Sequence, residues 1–416
     1  MIPRLGKVFL LLVFIVYETY YFIFLPNPLN VKMYLKLLVL FFALLFALRV
    51  IMNRKLAVTP VSFIWLVLYL LAVAFSIIVS IVPLYSAIQF ALLVCLLTFV
   101  FAVAMLIIHY RDLNFLRPVL IVLSVTVIGS LLLYLAFPKI FSTLESGRLR
   151  VHGVYGESSY LAIVCGLTAG LIFIIVKNAY LKYPIIIISG LLLILTGSRT
   201  PVVALFTVFT VYFLIIYRFK ILTKVFLTAF CILVLLCLYF IKNELLVTEY
   251  ARANTLSTLS GRTEIWTISV SHTLRNPLGV GYCVGGSILQ NKSSHMSQFL
   301  PGTNRSNTEM FSYSANRGYK ASLHSGYVQA LADLGFAGFV LYTVLILMTL
   351  FASVALRHDK FTYPFSFICL YLAICNLSEN VILSPTSSFT LFFWLSWFVL
   401  AMEWRCNKAA KAEFFR

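Results

Sequence analysis

The sequence predicts an all-α polytopic integral membrane protein of about twelve transmembrane helices, a single membrane domain over residues 1–416. Three observations predict it. Hydrophobic residues fill 62% of the positions and charged residues 11%, against about 25% charged in ordinary globular chains. Apolar runs long enough to cross a hydrocarbon core as helices, about 20 residues each, follow one another with short connections. One hydrophilic stretch, 243–323, interrupts the series. Its Arg252, Arg262, Arg275, Lys292, Arg305, Arg317 and Lys320 place it outside the bilayer or against it, because lipid cannot satisfy such groups.

Taken in order, the first apolar segment, 7–25, follows Arg4 and Lys7 as in a signal sequence. No small-residue cleavage site follows, and Pro26-Asn27-Pro28 leads into another span, so it is read as a retained anchor. Segments at about 34–52, 61–81, 84–108, 117–137, 158–176, 183–198, 201–217 and 222–241 come next. The hydrophilic stretch then lies between the ninth and tenth spans, and 328–355, 362–381 and 387–404 complete the series.

Twelve crossings put both termini on one side, and the distribution of basic residues says which. One set of connections carries Arg4/Lys7, Arg49/Arg54/Lys55, Arg111/Arg117, Lys177/Lys182, Arg218/Lys220/Lys224, Arg357/Lys360 and the tail from Arg405 to Arg416. That side is expected to be cytoplasmic. On the other side basic residues concentrate in three places: Lys139 to Arg150, Arg199, and the long loop. These run against the topological bias, and an anionic ligand at the outer face accounts for them most simply. Since most of the +19 formal charge belongs to inside loops, nucleic acid is not an expected partner. The eight cysteines are scattered singly and give neither a disulfide framework nor metal-ligand spacing. No internal repeat is visible, so nothing points to the inverted halves common among transporters.

Polar chemistry meets the outer face at four places. In Gly197-Ser198-Arg199-Thr200-Pro201, Thr200 reads as an N-cap and Pro201 as the first helical residue, setting Arg199 beside a helix N-terminus that already favours anions. The alternative is an interfacial Arg that only anchors the helix. In Arg148-Leu149-Arg150-Val151-His152-Gly153-Val154-Tyr155-Gly156-Glu157-Ser158-Ser159, either serine can cap the sixth span with Glu157 at its mouth. Glu157 is then an ion-pair partner of the nearby arginines, or a carboxylate that orients a histidine or holds a sugar hydroxyl. Within the long loop, Ser260-Gly261-Arg262-Thr263-Glu264-Ile265-Trp266 opens an amphipathic helix to about Leu274, stopped by Asn276-Pro277 and followed by the turn Leu278-Gly279-Val280-Gly281. A cation in a first turn is unfavourable unless an anion shares the site, so Arg262 is a phosphate candidate unless it simply pairs with Glu264. His272 and His295 read as surface histidines. Finally, with Ser322 as N-cap, His324 falls in the first turn of the tenth span, where the dipole favours neutral imidazole able to accept a hydroxyl proton. Asp333 and Glu379 are acidic residues within spans and functional suspects by default, Glu379 near the outer end of its span.

The order Gly153-x-x-Gly156-Glu157-Ser158, Gly197-Ser198-Arg199, Gly261-Arg262-x-x-x-Trp266, Asn276-Pro277-x-Gly279-x-Gly281, and Leu323-His324 with Gly335 and Gly338 downstream resembles the O-antigen polymerase and O-antigen ligase superfamily of bacterial surface-polysaccharide enzymes. The resemblance covers about residues 145–400; the first five spans match in hydrophobicity only. It implies a helical fold of the integral-membrane glycosyltransferase (GT-C-like) type in the bacterial inner membrane, both termini cytoplasmic and the active site facing the periplasm. It implies a donor glycan on undecaprenyl diphosphate, transferred to a new lipid-linked repeat unit by a polymerase or to the lipid A-core by a ligase, with a chain-length regulator protein as a possible partner. It carries diphosphate binding to Arg199 and Arg262 and acceptor activation to His324; Arg150 joins the diphosphate candidates and Glu157 the catalytic ones by their place on the same face. The family often has Asn after the histidine and Pro after the glutamate, where this chain has Ser325 and Ser158. The glutamate–serine pair is closer to polymerases than to ligases.

The expected chemistry is direct displacement at an anomeric carbon, with arginines holding the departing diphosphate. No acidic pair with cation-ligand spacing stands out, so neither metal nor cofactor is assigned. The rival from another class is a lipid-linked glycan flippase or other transporter, which should carry its charge near the bilayer midplane rather than outside.

Overall fold

The computed structural model describes residues 2–19, 31–53, 60–145, 148–211, 262–290, 323–385 and 387–414. The helices are α1 (Ile2–Thr19), α2 (Val31–Met52), α3 (Pro60–Ile78), α4 (Pro83–Tyr110), α5 (Arg117–Ala136), α6 (Ser158–Ile175), α7 (Ala179–Leu195), α8 (Arg199–Val211), α9 (Arg262–Arg275), α10 (Ser287–Gln290), α11 (Gly326–Ala355), α12 (Tyr363–Cys375) and α13 (Ser388–Phe414). Every expected apolar segment except 222–241, which lies outside the described residues, has a helix. Among the described residues, six are long and apolar enough to cross a membrane: those in α2 to α6 and α11. The helices α7, α8 and α12 are apolar but shorter. Parts of the long loop, 243–261 and 291–322, also lie outside the described residues.

One element departs from the all-α expectation. Strands β1 (Ser142–Glu145) and β2 (Arg148–Val151) form an antiparallel hairpin with Thr143 opposite Arg150. Phe141 O receives the amides of His152 and Gly153, closing the hairpin base just before α6.

Polar side chains gather at the two ends of the bundle. At one end Arg111, after α4, donates from Nη1 to Glu403 Oε1 and from Nη2 to Asp359 Oδ2, both at 2.8 Å, while Lys7 pairs with Asp112 at 2.8 Å. These are the connections that the basic-residue pattern assigns to a single side. At the other end the buried Glu18 of α1 accepts from Tyr155 Oη and Ser388 Oγ at 2.8 Å each, tying α1 to the segment before α6 and to the start of α13.

Antiparallel packing of α6 on α12 sets the level of the outer residues. Gly170 lies against Phe367 and Gly166 against Tyr371, and Tyr371 Oη donates to Ile163 O at 3.2 Å. Side chains at both glycines would overlap the rings, so small residues permit the close approach. Continuing that register by one more turn brings Cys375, the last residue of α12, level with Ala162, with Glu379 in the connection beyond. Because α7 returns alongside α6, the start of α8 lies at this same end, and α8 packs against both α6 and α12.

The described part of the hydrophilic stretch is built into the bundle. Gly335 interrupts α11 with φ 68° and ψ −169°, freeing backbone groups inside the helix. Segment 277–285 takes them up: Val280 N donates to Ala332 O, Gly281 N to Asp333 O, and Phe336 N to Pro277 O, at 2.9 to 3.0 Å. The Asp333 carboxylate, fully buried, accepts from Cys283 N at 2.9 Å and Gly285 N at 2.6 Å. Asp333 is therefore an anchor for the inserted segment. A Cβ at Gly335 would overlap Pro277 O, in a backbone region essentially confined to glycine. Gly335→Ala is expected to cost at least about 1–3 kcal/mol in backbone strain alone. A lower melting midpoint in detergent, or loss of the protein from membranes by immunoblot, checks it.

Candidate functional site

The site is assembled on the connection after α12. Asn376 ends that helix, and its side chain does three things at once: Nδ2 donates to Tyr342 Oη at 2.9 Å, and Oδ1 accepts from Val381 N and Ile382 N at 3.3 Å. Its carbonyl accepts Gly326 N at 2.9 Å, and Tyr327 Oη donates to Ala373 O at 3.1 Å. The first turn of α11 is thus bolted to the last turn of α12, and His324 is brought to Glu379. His324 Nδ1 lies 3.7 Å from Glu379 Oε2, an ion pair when the imidazole is protonated, and Arg262 Nη2 donates to Glu379 Oε1 at 2.7 Å.

Arg262 is bound by Glu379. One expectation is corrected here. The N-cap of α11 is Ser325, whose hydroxyl accepts Val328 N at 3.4 Å, and not Ser322, which lies outside the described residues. His324 consequently precedes the helix, with a left-handed φ of 52°. Asn and Ser are both strong caps, so Ser325 performs the capping that the more frequent asparagine would. A left-handed histidine costs about 1–2 kcal/mol and persists only where its surroundings impose it. Trp266 of α9 supplies part of that constraint by donating from Nε1 to Leu323 O at 3.0 Å. Arg262 and Trp266, one turn apart on α9, thereby address Glu379 and the residue before His324 together.

Burial works against ionisation of Glu379, but Arg262 and His324 outweigh it and hold its carboxyl below the ordinary value. A depressed folded value means that the stabilisation is present above the unfolded carboxylate value of about 4.3 and is lost as pH falls through the folded one. Glu379→Gln is therefore expected to melt below the parent at neutral pH. The gap should narrow in acid, as melting curves across pH would record. Around this carboxylate, Arg262 Nε, Ser378 Oγ and Asn380 Oδ1 are buried and make no hydrogen bond among the described residues. Unmet donors and acceptors of this kind suit a polyhydroxylated or anionic ligand.

Arg150 and Arg199 form a second group at the same end. Arg150 Nε donates to Thr196 O at 2.9 Å, so β2 is pinned to the end of α7. Gly197 follows with φ 64°, its amide donating to Ile194 O, and turns the chain into α8. This helix begins at Arg199 rather than at Pro201, with Arg199 half-buried in its first turn. Glu157, not Ser158 or Ser159, occupies the N-cap position of α6, exposed and without a capping hydrogen bond. The carboxylate beside His324 is that of Glu379, which the sequence marks as a suspect without a role. The described residues include no group of three His, Cys, Asp or Glu side chains fit to hold a metal ion.

A helical fold thus gathers arginines and a histidine beside a carboxylate at one end of the bundle. A family model described as O-antigen ligase matches residues 184–343, from α7 to the first half of α11, a range that includes Arg199, Arg262 and His324. The match supports the O-antigen polymerase and ligase superfamily, and with it a membrane glycosyltransferase-like enzyme of polysaccharide biosynthesis. Among curated proteins, none matches the chain.

Proposed function

We propose that the chain is a polysaccharide polymerase of the bacterial inner membrane, with both termini cytoplasmic and its site open to the periplasm. It transfers the growing glycan from undecaprenyl diphosphate to a hydroxyl of a new lipid-linked repeat unit. The observation that carries this reading is the meeting of Arg262 and His324 on Glu379, at the end of the bundle that also holds Arg150, Arg199 and Glu157.

In the proposed step the acceptor oxygen attacks the anomeric carbon. The bond from that carbon to the diphosphate oxygen breaks, and its electron pair leaves with the lipid diphosphate. Arg199 and Arg262, with Arg150, stabilise the developing charge. The acceptor proton passes to His324 Nε2, while Glu379 faces Nδ1, holding the ring and stabilising the imidazolium. Glu157, exposed at the mouth of α6, is proposed to hold an acceptor hydroxyl. Ser378 and Asn380 offer further hydrogen bonds to the sugar.

A second reading, transfer of finished glycan to lipid A-core, is favoured by the description of the matched family as O-antigen ligase. The two separate in a deletion strain. Loss of a polymerase leaves a single repeat on core, whereas loss of a ligase leaves core bare and polymer on its carrier. Transport is tested with purified protein: lengthening of a lipid-linked repeat in detergent, with no compartments, identifies transfer as the activity. Failure of a well-folded preparation to lengthen or transfer any lipid-linked glycan would overturn the enzyme reading.

A further inference from the structure

We infer that Gln329 is a positioning residue that holds His324 in its catalytic pose; this inference rests on the transferase reading for its functional consequence but not for its structural one. The side chain of Gln329 is buried in the first turns of α11. Its Nε2 donates to Asp333 Oδ1 at 2.9 Å, and its Oε1 accepts the amide of Leu323 at 3.1 Å. One carboxamide thus bridges the carboxylate that anchors segment 277–285 to the residue immediately before His324.

The remaining bonds make this a closed chain. Asp333 holds Cys283 N and Gly285 N, Leu323 O receives Trp266 Nε1, and Trp266 shares α9 with Arg262. Leu323, fully buried among Ile265, Val280, Ile288, Leu289 and Ala332, has both backbone groups occupied by side chains from other elements. Such double pinning fixes the peptide entering His324, and with it the left-handed φ that turns the imidazole onto Glu379. Only an amide meets the demand at position 329: a donor is needed toward Asp333 and an acceptor toward Leu323. Glutamate offers acceptors to both and sets two carboxylates face to face; leucine offers neither bond.

The test uses the full-length protein purified in detergent, with two readouts. The first does not depend on function: exchange of the Leu323 amide, followed by mass spectrometry, should be slow in the parent and at least about tenfold faster in Gln329→Leu, since a buried bonded amide exchanges only on opening. The second is steady-state transfer with a defined lipid-linked repeat. There kcat should fall about 10²-fold with KM for the donor little changed, as expected when a reacting group is displaced by about an ångström while diphosphate contacts at Arg199 and Arg150 remain. If Gln329→Leu does not accumulate, Gln329→Glu keeps the shape and the acceptor and is read by the same two measurements. Parent-like exchange in a folded variant overturns the bridge. Faster exchange with unchanged kcat, in a preparation whose parent is active, overturns the positioning role. A folded parent inactive toward every lipid-linked glycan, with exchange altered as expected, keeps the bridge and removes the transferase reading instead.

Discussion

His324→Ala is expected to lower kcat for glycan transfer by about 10²–10⁴-fold, the range for a lost general base. The argument rests on three features that coincide at one residue. The imidazole stands beside a carboxylate, at 3.7 Å from Nδ1, so the ring has an orienting partner of the kind catalytic histidines use. Its backbone is left-handed, a conformation that an ordinary boundary residue has no reason to hold. Its side chain keeps 25% of its surface exposed, so a substrate can reach it. Glu379 keeps Arg262 when the imidazole is removed, so the melting midpoint should move less than for loss of Arg262. Incubation of purified protein with a lipid-linked repeat, read as a ladder on a gel, gives the rate. A variant that lengthens glycan at the parental rate removes the base from the mechanism.

The second large effect belongs to Arg262. Arg262→Ala is expected to reduce kcat by about 10²–10³-fold, as for removal of one group that stabilises charge in a transition state. It should also destabilise the protein, unlike His324→Ala, because Glu379 is only 15% exposed and loses its closest cation. Breaking a well-buried pair by removing one partner costs about 3–5 kcal/mol, and partial exposure places this case at or below the lower end. Arg262→Lys should restore much of the stability and less of the rate. An ammonium neutralises Glu379 but does not offer the fork of donors that a guanidinium divides between a carboxylate and a phosphate. The rates come from the same ladder assay and the stabilities from melting in detergent. Equal rates for the Lys variant and the parent would mean that charge alone matters at this position.

Hydrophobicity made the helices legible, since span-length apolar runs need no tertiary information, and the basic residues grouped connections that meet at one end of the bundle. The Arg111, Asp359 and Glu403 cluster joins connections already grouped by their basic residues. Helix starts differ from expectation by one to three positions because Ser and Thr recur near them: Ser322 and Ser325, or Ser198 and Thr200, are equally good caps from sequence alone. The hairpin's signal in the sequence is Ser146-Gly147 between two alternating runs. Of the candidate site, Arg262 and His324 were visible through their helix-terminal positions. Their common partner was not. Glu379 lies 117 residues from Arg262, while Glu264 is two residues away, and local spacing could only offer the nearer acid. Asp333 and Glu379 look alike as acids within apolar runs. Only the amides of Cys283 and Gly285 tell the anchor from the site residue.

The interruption of α11 at Gly335 bears on how the protein is made. Residues 277–285 leave the ribosome before the helix whose carbonyls and carboxylate complete their hydrogen bonding, so during synthesis this stretch emerges without those partners. Its ordering must await α11, and a peptide comprising 277–285 alone should remain unstructured in solution. Assembly of the candidate site is thereby tied to a late event in biogenesis: a nascent chain halted before residue 336 has Arg262 and His324 but not Glu379, the carboxylate on which they meet.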